Sequence, residues 1–140
     1  MSLKLAIHRE SWAALAPFRI TGRTWNEFDS VVVELMDGAR VGRGEALGIY
    51  YTGDTVDTIL PQIEKVRAEV EGGITRQALQ TLLPPNGARN ALDAALWDLE
   101  AKRSGKSVWE LAGVSAKTVE TVFTIGIEPE PEAMGAKAAA

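Results

Sequence analysis

Residues 87–113, GARNALDAALWDLEAKRSGKSVWELAG, carry the pattern from which the rest of the fold can be worked out. Six apolar residues of this stretch fall on one face of a helix: Ala88, Ala91, Leu92, Ala95, Leu96 and Leu99. Ala94, Trp97 and Ala101 cover much of the opposite side. The pattern therefore predicts a helix that is buried all round.

The ends and the charges of this helix follow from local signals. We expect the helix to begin at Asn86 or Gly87 and to end at Gly105. Opposite charges stand four residues apart on it, at the spacing of helical ion pairs: Arg89 with Asp93, and Asp98 with Lys102. Both pairs are predicted to form.

A second, short helix is predicted directly after Gly105. Ser107 and Glu110 have the spacing of a capping box, and Gly113 is placed to end the helix. Trp109 and Leu111 are predicted to be its buried anchors. Residues 87–113 thus read as a helical hairpin.

The composition is that of a globular protein with a core of its own, with 46% hydrophobic and 24% charged residues in 140. Fifteen basic and 19 acidic residues give a net charge of −4, so we expect no nucleic-acid partner. The absence of cysteine excludes disulfides, a thiol nucleophile and a thiolate zinc site. No targeting signal or membrane span is evident, and we expect a cytoplasmic protein.

The first part of the chain predicts a three-stranded antiparallel meander. Alternating apolar residues indicate a strand over 3–7, and a β-branched run indicates another over about 28–36. The Asp37-Gly38 turn then returns the chain through a third strand over 40–46. Residues 12–27, between the first two strands, are predicted to form a long loop.

A helical bundle is predicted to follow the sheet. Apolar residues keep helical spacing from Val56 to Val70, and Pro61 within this run predicts a kink or a later helix start. Thr75 is placed to cap a shorter helix that ends before Pro84. The predicted fold class is therefore α+β.

The pattern changes after the helices. Residues 119–127 alternate as in a strand, and the acidic residues that follow open a helix. A single strand and helix bury little surface alone, so we interpret them as the first βα unit of a larger domain. The predicted domains are 1–116 and 117–140.

The 140 residues of the chain contain few groups suited to catalysis. His8 is the single histidine, which excludes a Ser-His-Asp triad and a histidine metal cluster within the chain. Gly42-Arg43-Gly44 precedes no helix, so a glycine-containing strand is favoured over a phosphate loop. Asp93 and Asp98 stand five residues apart and point in different directions, which favours structural ion pairs. We predict no catalytic residue and no metal ligand in this chain.

The order of these elements and several sequence runs resemble a known family. The runs PFRITG, VVVEL, TRQALQTLLPPNGARNALDAALWDLEAKR and TVFTIGI are similar to the enolase superfamily, in its muconate-cycloisomerase branch. Within that branch they look most like dipeptide epimerases that interconvert L-Ala-L-Glu and L-Ala-D-Glu. The resemblance implies an enolase-type N-terminal capping domain followed by the first strand of a (β/α)8 barrel that is otherwise absent.

The resemblance also implies a mechanism and partners for the full-length protein. Barrel lysines on opposite faces of the substrate would remove and return the proton α to a carboxylate, and Mg²⁺ on barrel carboxylates would stabilise the enediolate. None of these groups is assigned to a residue of this chain, so the chain alone is predicted to be inactive. We expect a small-molecule carboxylate substrate and a homo-oligomer when the protein is full-length.

The capping domain of such enzymes supplies the lid that closes over the substrate. Carried over to this sequence, the substrate-binding residues are Phe18, Ile20, Thr21, Arg23, Ile49, Tyr50, Tyr51 and Thr124. Arg23 is the candidate to meet a substrate carboxylate, the alternative being a solvated loop arginine. Thr124 lies where a barrel places substrate contacts, the alternative being strand packing.

The run Tyr-Tyr-Thr-Gly-Asp, residues 50–54, departs from the more usual Tyr followed closely by Gly-Glu. This departure leaves other activities open: a related cycloisomerase, an N-acylamino acid racemase or an acid-sugar dehydratase. A non-catalytic binding domain is the alternative from a different class.

Overall fold

A computed structural model describes residues 2–139 of the chain. These residues form two compact units. The larger unit comprises the residues up to Glu10 together with Asp29–Ala116, and the smaller one comprises Ser11–Phe28 together with the residues from Lys117 onward. None of the helices within residues 2–139 is long and apolar enough to cross a membrane.

Within residues 2–139, three strands form one antiparallel sheet in the order β1-β2-β3, with β1 at Lys4–Ile20, β2 at Arg23–Asp37 and β3 at Arg40–Ala46. The pairing of β2 with β3 runs from Val31 opposite Ala46 to Asp37 opposite Arg40. This is the predicted meander, and the tight turn at Gly38 sets its register.

The first two strands are much longer than the sequence predicts. Residues 12–27 do not form a loop: β1 continues to Ile20 and β2 begins at Arg23, so a two-residue turn joins them. Pro17 lies within β1, where the missing N–H is tolerated because β1 is an edge strand. The predicted loop is thus the far end of a β-hairpin.

In the described part of the chain, six α-helices follow the sheet: α1 Val56–Lys65, α2 Arg67–Glu71, α3 Arg76–Leu82, α4 Gly87–Ser104, α5 Val108–Ala112 and α6 Pro131–Ala139. Thr75 and Asn86 cap α3 and α4 through their side chains, as predicted. Ser107 and Glu110 form the predicted capping box of α5. The capping domain predicted from the sequence is confirmed in its order of elements.

Pro61 lies inside α1, and the helix starts at Val56 rather than near the proline. The run predicted to continue to Val70 breaks at Val66, which separates α1 from α2. Pro61 lacks the N–H that would bond to the carbonyl of Asp57, so this part of the helix is weakened.

The core of the larger unit lies where α4 packs on β3. Gly42 and Gly44 leave the space for it: a Cβ on Gly44 would lie 2.0 Å from the Ala91 carbonyl oxygen, and one on Gly42 would lie 2.3 Å from that of Ala95. The two glycines of this G-x-G sequence therefore let a helix approach the strand closely, and they form no phosphate loop. Residues buried around this contact include Val31, Val33, Leu35, Ile59, Ile63, Leu79, Leu92 and Leu99.

Polar side chains of α4 also bind the β3 backbone. Lys102 Nζ donates to the Val41 carbonyl at 2.7 Å, and Asp98 accepts from the Arg43 N–H at 2.7 Å. Asp98 and Lys102 form the predicted ion pair, also at 2.7 Å. This confirms a structural role for Asp98.

Other predictions for the helices were wrong. Ala94 is exposed, so α4 is buried on one face and not all round. Arg89 donates to the carbonyls of Gln80 and Leu83, while Asp93 accepts from the Gln80 side chain, in place of the expected Arg89–Asp93 pair.

The short helix α5 and the segment after it also differ from expectation. Trp109 is 50% exposed and is therefore no buried anchor of α5, and Leu111 is only partly buried. Residues 119–127 form no strand within the described chain, because the hydrogen bond from the Ile127 N–H to the Arg19 carbonyl is not continued into a ladder. The predicted helix after this segment is present as α6.

Candidate functional site

The far end of the β1-β2 hairpin carries four of the predicted site residues. The chain reverses at Thr21-Gly22, and Gly22 adopts a φ of 76°, which only glycine adopts without strain. Thr21 and Arg23 are exposed at this turn, whereas Phe18 and Ile20 are half-buried. The structure therefore brings Phe18, Ile20, Thr21 and Arg23 together in the smaller unit.

Aromatic rings form a platform under Arg23. The guanidinium carbon of Arg23 lies 4.8 Å from the ring centroid of Trp25, within the range of a cation–π contact. Trp25 in turn contacts Phe18 at 5.9 Å and stacks on Phe28 at 6.4 Å between ring centroids. Such a contact limits the rotation of the guanidinium and presents its planar fork, which matches a carboxylate.

The segment that contains Thr124 contacts the same hairpin. The Ile127 N–H donates to the Arg19 carbonyl at 2.8 Å. Gly126 lies so close to the hairpin that a Cβ there would be 3.2 Å from the Arg19 nitrogen and 3.3 Å from the Phe18 ring. Thr124, two residues before this contact, is exposed.

The remaining predicted site residues lie in the larger unit, in the loop between β3 and α1. Tyr50–Thr52 form a single 3₁₀ turn, which the Thr52 N–H and hydroxyl close by donating to the Ile49 carbonyl at 3.0 and 2.8 Å. The rings of Tyr50 and Tyr51 meet edge to face at 5.2 Å. Ile49 and Tyr50 are 45% and 43% exposed and Tyr51 is 75% exposed, so the loop presents apolar surface to solvent.

Asp54 holds the base of this loop, a role that the sequence did not reveal. Its Oδ2 accepts from the Gly87 N–H, the first residue of α4, at 2.7 Å. Asp54 stands two residues before α1 in the sequence, but Thr55 is the N-cap of that helix. An acidic residue just before α1 was the available sequence signal for this role. The partner of Asp54, Gly87, lies 33 residues further along the chain.

A groove of about 660 Å³ lies beside this loop in the larger unit, and its polar lining includes Glu45, Asp54, Arg89, Asn90 and Asp93. Within residues 2–139, no three His, Asp or Glu side chains are grouped so that they could hold a metal ion. His8 lies 3.8 Å from Glu34 on the strands, and the hydrogen bond from Arg43 lowers the pKa of Glu34. These charges belong to the sheet surface.

The two groups of predicted site residues thus belong to different compact units. Phe18, Ile20, Thr21, Arg23 and Thr124 lie in the smaller unit, and Ile49, Tyr50 and Tyr51 lie in the larger one. The apolar side chains are half-buried in the first group and exposed in the second, and each group includes a defined backbone turn. Such groups are suited to contact and enclose a ligand rather than to transfer protons.

Similar proteins have closely related folds and sequences. The chain is 38% identical over 122 residues to the L-Ala-D/L-Glu epimerase of Escherichia coli (strain K12), covering 86% of this chain and 38% of that protein. An enolase family member from Agrobacterium tumefaciens with homology to dipeptide epimerases, with bound sodium and L-Ala-L-Glu, matches 98% of this chain and 42% of its own. Its TM-score is 0.90 at 36% identity.

A dipeptide epimerase from Methylococcus capsulatus, complexed with Mg and L-Arg-D-Lys, matches 99% of this chain and 42% of its own. Its TM-score is 0.83 at 27% identity. The chain spans less than half the length of these relatives. They confirm the resemblance to dipeptide epimerases of the enolase superfamily.

The sequence pattern of the family described as "Mandelate racemase / muconate lactonizing enzyme, N-terminal domain" matches residues 2–113. That range contains the meander and helices α1 to α5, and it includes the contact of β3 with α4 in the larger unit. The chain belongs to the mandelate racemase / muconate lactonizing enzyme family, of which it contains the N-terminal domain.

Proposed function

We propose that this chain is the capping domain of a dipeptide epimerase, in which it supplies the lid that selects the substrate side chain. The observation that carries the proposal is Arg23, held over Trp25 at the exposed end of the β1-β2 hairpin. The fold shared with an epimerase-like protein that binds L-Ala-L-Glu supports it. An acidic dipeptide is the substrate class that this arrangement favours.

The chemistry of Arg23 suits the carboxylate of an acidic side chain. The guanidinium keeps its charge at any physiological pH and binds a carboxylate through two parallel hydrogen bonds. Its contact with Trp25 reduces the freedom that would otherwise be lost on binding. A neutral dipeptide side chain has no carboxylate to accept these two hydrogen bonds.

The loop at Ile49, Tyr50 and Tyr51 would form the apolar part of the lid. Its side chains are exposed in this chain, and large exposed apolar groups mark surfaces that contact a ligand or another protein. Covering a reacting centre with apolar groups excludes water and strengthens the electrostatic interactions inside. We propose that Thr124, which is exposed beside the hairpin, also contacts the substrate.

We also propose that the full-length enzyme uses Mg²⁺, as the relative from Methylococcus capsulatus is complexed with it. The described residues of this chain do not fit the role of its ligands, since no three acidic or histidine side chains are grouped among residues 2–139. In this proposal the described residues bind and orient the substrate and do not hold the metal.

Replacing Arg23 in the full-length protein tests the proposal. Arg23→Ala should lower kcat/KM for acidic dipeptides about ten- to a hundredfold more than for neutral ones, the range for a hydrogen bond to a charged group. Arg23→Lys should recover only part of the loss, because an ammonium keeps the charge but not the fork. Steady-state kinetics with L-Ala-L-Glu and L-Ala-L-Leu measure the difference.

Arg19→Ala is the matched control. It removes the same charge four residues away, from the opposite face of the strand that carries Phe18 and Ile20. This variant should leave the ratio of acidic to neutral turnover unchanged. Equal losses for both dipeptides in Arg23→Ala would mean that Arg23 supports the hairpin and does not bind the substrate.

A further inference from the structure

We propose that Asp54 is a positioning residue for substrate selection: its bond to the start of α4 holds Ile49, Tyr50 and Tyr51 in the place where they contact the substrate side chain. This inference rests on the function proposed above and extends it to a residue outside the lid surface. Asp54 does not itself contact the substrate in this account. It acts through the loop that it closes.

The loop is not held by burial of its own side chains. Ile49, Tyr50 and Tyr51 are all exposed by more than two fifths. Two hollows flank it, one of about 660 Å³ and one of about 350 Å³, and Ile49 and Asp54 line both of them. With little apolar packing beneath it, the loop depends on its polar contacts for a fixed position.

The side chain of Asp54 joins the loop to α4, the 18-residue helix that packs on β3 in the larger unit. Its Oδ2 accepts from the N–H of Gly87, which is buried at the first position of α4. This bond is not the ordinary N-cap, because Asn86 already accepts from Arg89 in that role. Asp54 instead places a carboxylate at the positive end of the helix dipole, where charge strengthens the contact.

The backbone at Asp54 closes the same loop. Its N–H donates to the Ile49 carbonyl at 3.3 Å. On the other side, Gly48 adopts a φ of 82° and approaches so closely that a Cβ there would lie 2.4 Å from the Asp54 carbonyl oxygen. Both ends of the loop therefore meet at Asp54, and a shift of this residue moves the two tyrosines with it.

The first test is hydrogen exchange in the full-length protein. Asp54→Ala should speed exchange of the Thr52, Gly53 and Gly87 amides about tenfold or more, since the bond to a charged acceptor is lost. Asp54→Asn keeps an acceptor oxygen without the charge and should give a smaller increase. Exchange at these amides that matches the wild type in Asp54→Ala would overturn the proposal.

Asp57→Ala is the control for this test. Asp57 lies three residues further on, in the first turn of α1, and its carboxylate binds Arg9 at 2.8 Å on the exposed surface. Asp57→Ala removes a carboxylate, as Asp54→Ala does, but leaves the hydrogen bond between Asp54 and α4 intact. Loop exchange should remain at the wild-type rate in this variant, and an increase equal to that of Asp54→Ala would contradict the specific role of Asp54.

The second test separates positioning from mere stabilisation. Asp54→Ala should change the ratio of kcat/KM between L-Ala-L-Glu and L-Ala-L-Leu about tenfold, mainly through KM, because a displaced loop misplaces side-chain contacts and not the reacting carbon. Asp54→Asn should restore most of the ratio. A lower Tm with an unchanged ratio would mean that Asp54 only stabilises the fold, and it would overturn the proposal.

The outcomes distinguish this inference from the function on which it rests. If the wild-type protein epimerises no dipeptide, the proposed function is wrong. The exchange comparison of Asp54→Ala with Asp57→Ala would then still decide whether Asp54 fixes the loop. If Asp54→Ala does not fold, the same comparison is made with Asp54→Asn, and unchanged loop exchange in that variant would reject the role of the charge.

Discussion

At the scale of single residues, the contact of β3 with α4 depends on the absence of side chains at Gly42 and Gly44. The helix backbone occupies the space that a methyl group on either glycine would need. Asp98 and Lys102 then fix the helix on the strand through bonds to the β3 backbone. These four residues determine the position of α4 on β3. They thereby also determine the position of Gly87, which binds Asp54.

Gly44→Ala should therefore destabilise the chain strongly. Its Cβ would lie 2.0 Å from the Ala91 carbonyl oxygen, so the helix has to shift, and we expect a loss of about 3 kcal/mol in the free energy of unfolding. Gly135→Ala in α6 is the control, because its Cβ meets nothing within 4 Å. Urea denaturation should show no loss for the control, and equal stability of both variants would contradict the close approach.

Acid should destabilise the fold in part through Asp98. Burial raises the pKa of Asp98, but the hydrogen bonds from Lys102 and the Arg43 N–H outweigh this and lower it overall. The unfolded state then binds the proton more readily than the folded one. The stabilisation is fully present above the unfolded pKa of about 3.9 and is lost as the pH falls through the folded pKa.

Lys102→Met and Asp98→Asn test this dependence. Both should make the free energy of unfolding fall less steeply between about pH 5 and pH 2, because each reduces the difference between the folded and unfolded pKa. The double variant should show the same pH dependence of the free energy of unfolding as Asp98→Asn alone. Urea midpoints across this pH range that follow the same slope in the wild type and in Asp98→Asn would contradict the assignment.

At the scale of elements, the sequence was most informative where the signals are local. Capping residues at Thr75, Asn86 and Ser107 predicted the starts of three helices, since an N-cap acts within its own first turn. The Asp37-Gly38 turn likewise predicted the β2-β3 pairing. Short-range chemistry of this kind can be read from one stretch of chain.

Structure that depends on a distant partner could not be predicted from the local sequence. Residues 12–27 form the end of the β1-β2 hairpin, but their side chains show little alternation because much of this ribbon is exposed. Residues 119–127 alternate well and still form no strand, since a strand needs a neighbour to pair with. The role of Asp54 was missed for the same reason, as Gly87 is far away in sequence.

The helices and the final segment should differ sharply in amide hydrogen exchange. Residues 88–99 of α4 should exchange slowly, because their apolar face is buried, whereas residues 117–126 should exchange quickly. Ile127 should exchange more slowly than its neighbours, since its N–H binds the Arg19 carbonyl. Protection of residues 119–126 equal to that of α4 in a monomer would contradict this order of stability.

At the scale of the whole molecule, the chain divides into a packed larger unit and a smaller unit that carries Arg23 and Thr124. The matched relatives are more than twice as long as the part that this chain covers. We propose that the chain recognises the substrate and that residues outside it carry out proton transfer. The predicted domain boundary at 116 and 117 stays a prediction.

The most direct test of this account is α-proton exchange of L-Ala-L-Glu in D₂O with Mg²⁺, followed by NMR. The full-length protein should incorporate deuterium at the α-carbon of the glutamate residue and accumulate L-Ala-D-Glu. The 140-residue chain alone should give only the solvent background, because no metal-ligand group is present among its described residues and the base lysines are expected outside it. A full-length protein that exchanges no dipeptide α-proton, or an isolated chain that does, would contradict the account.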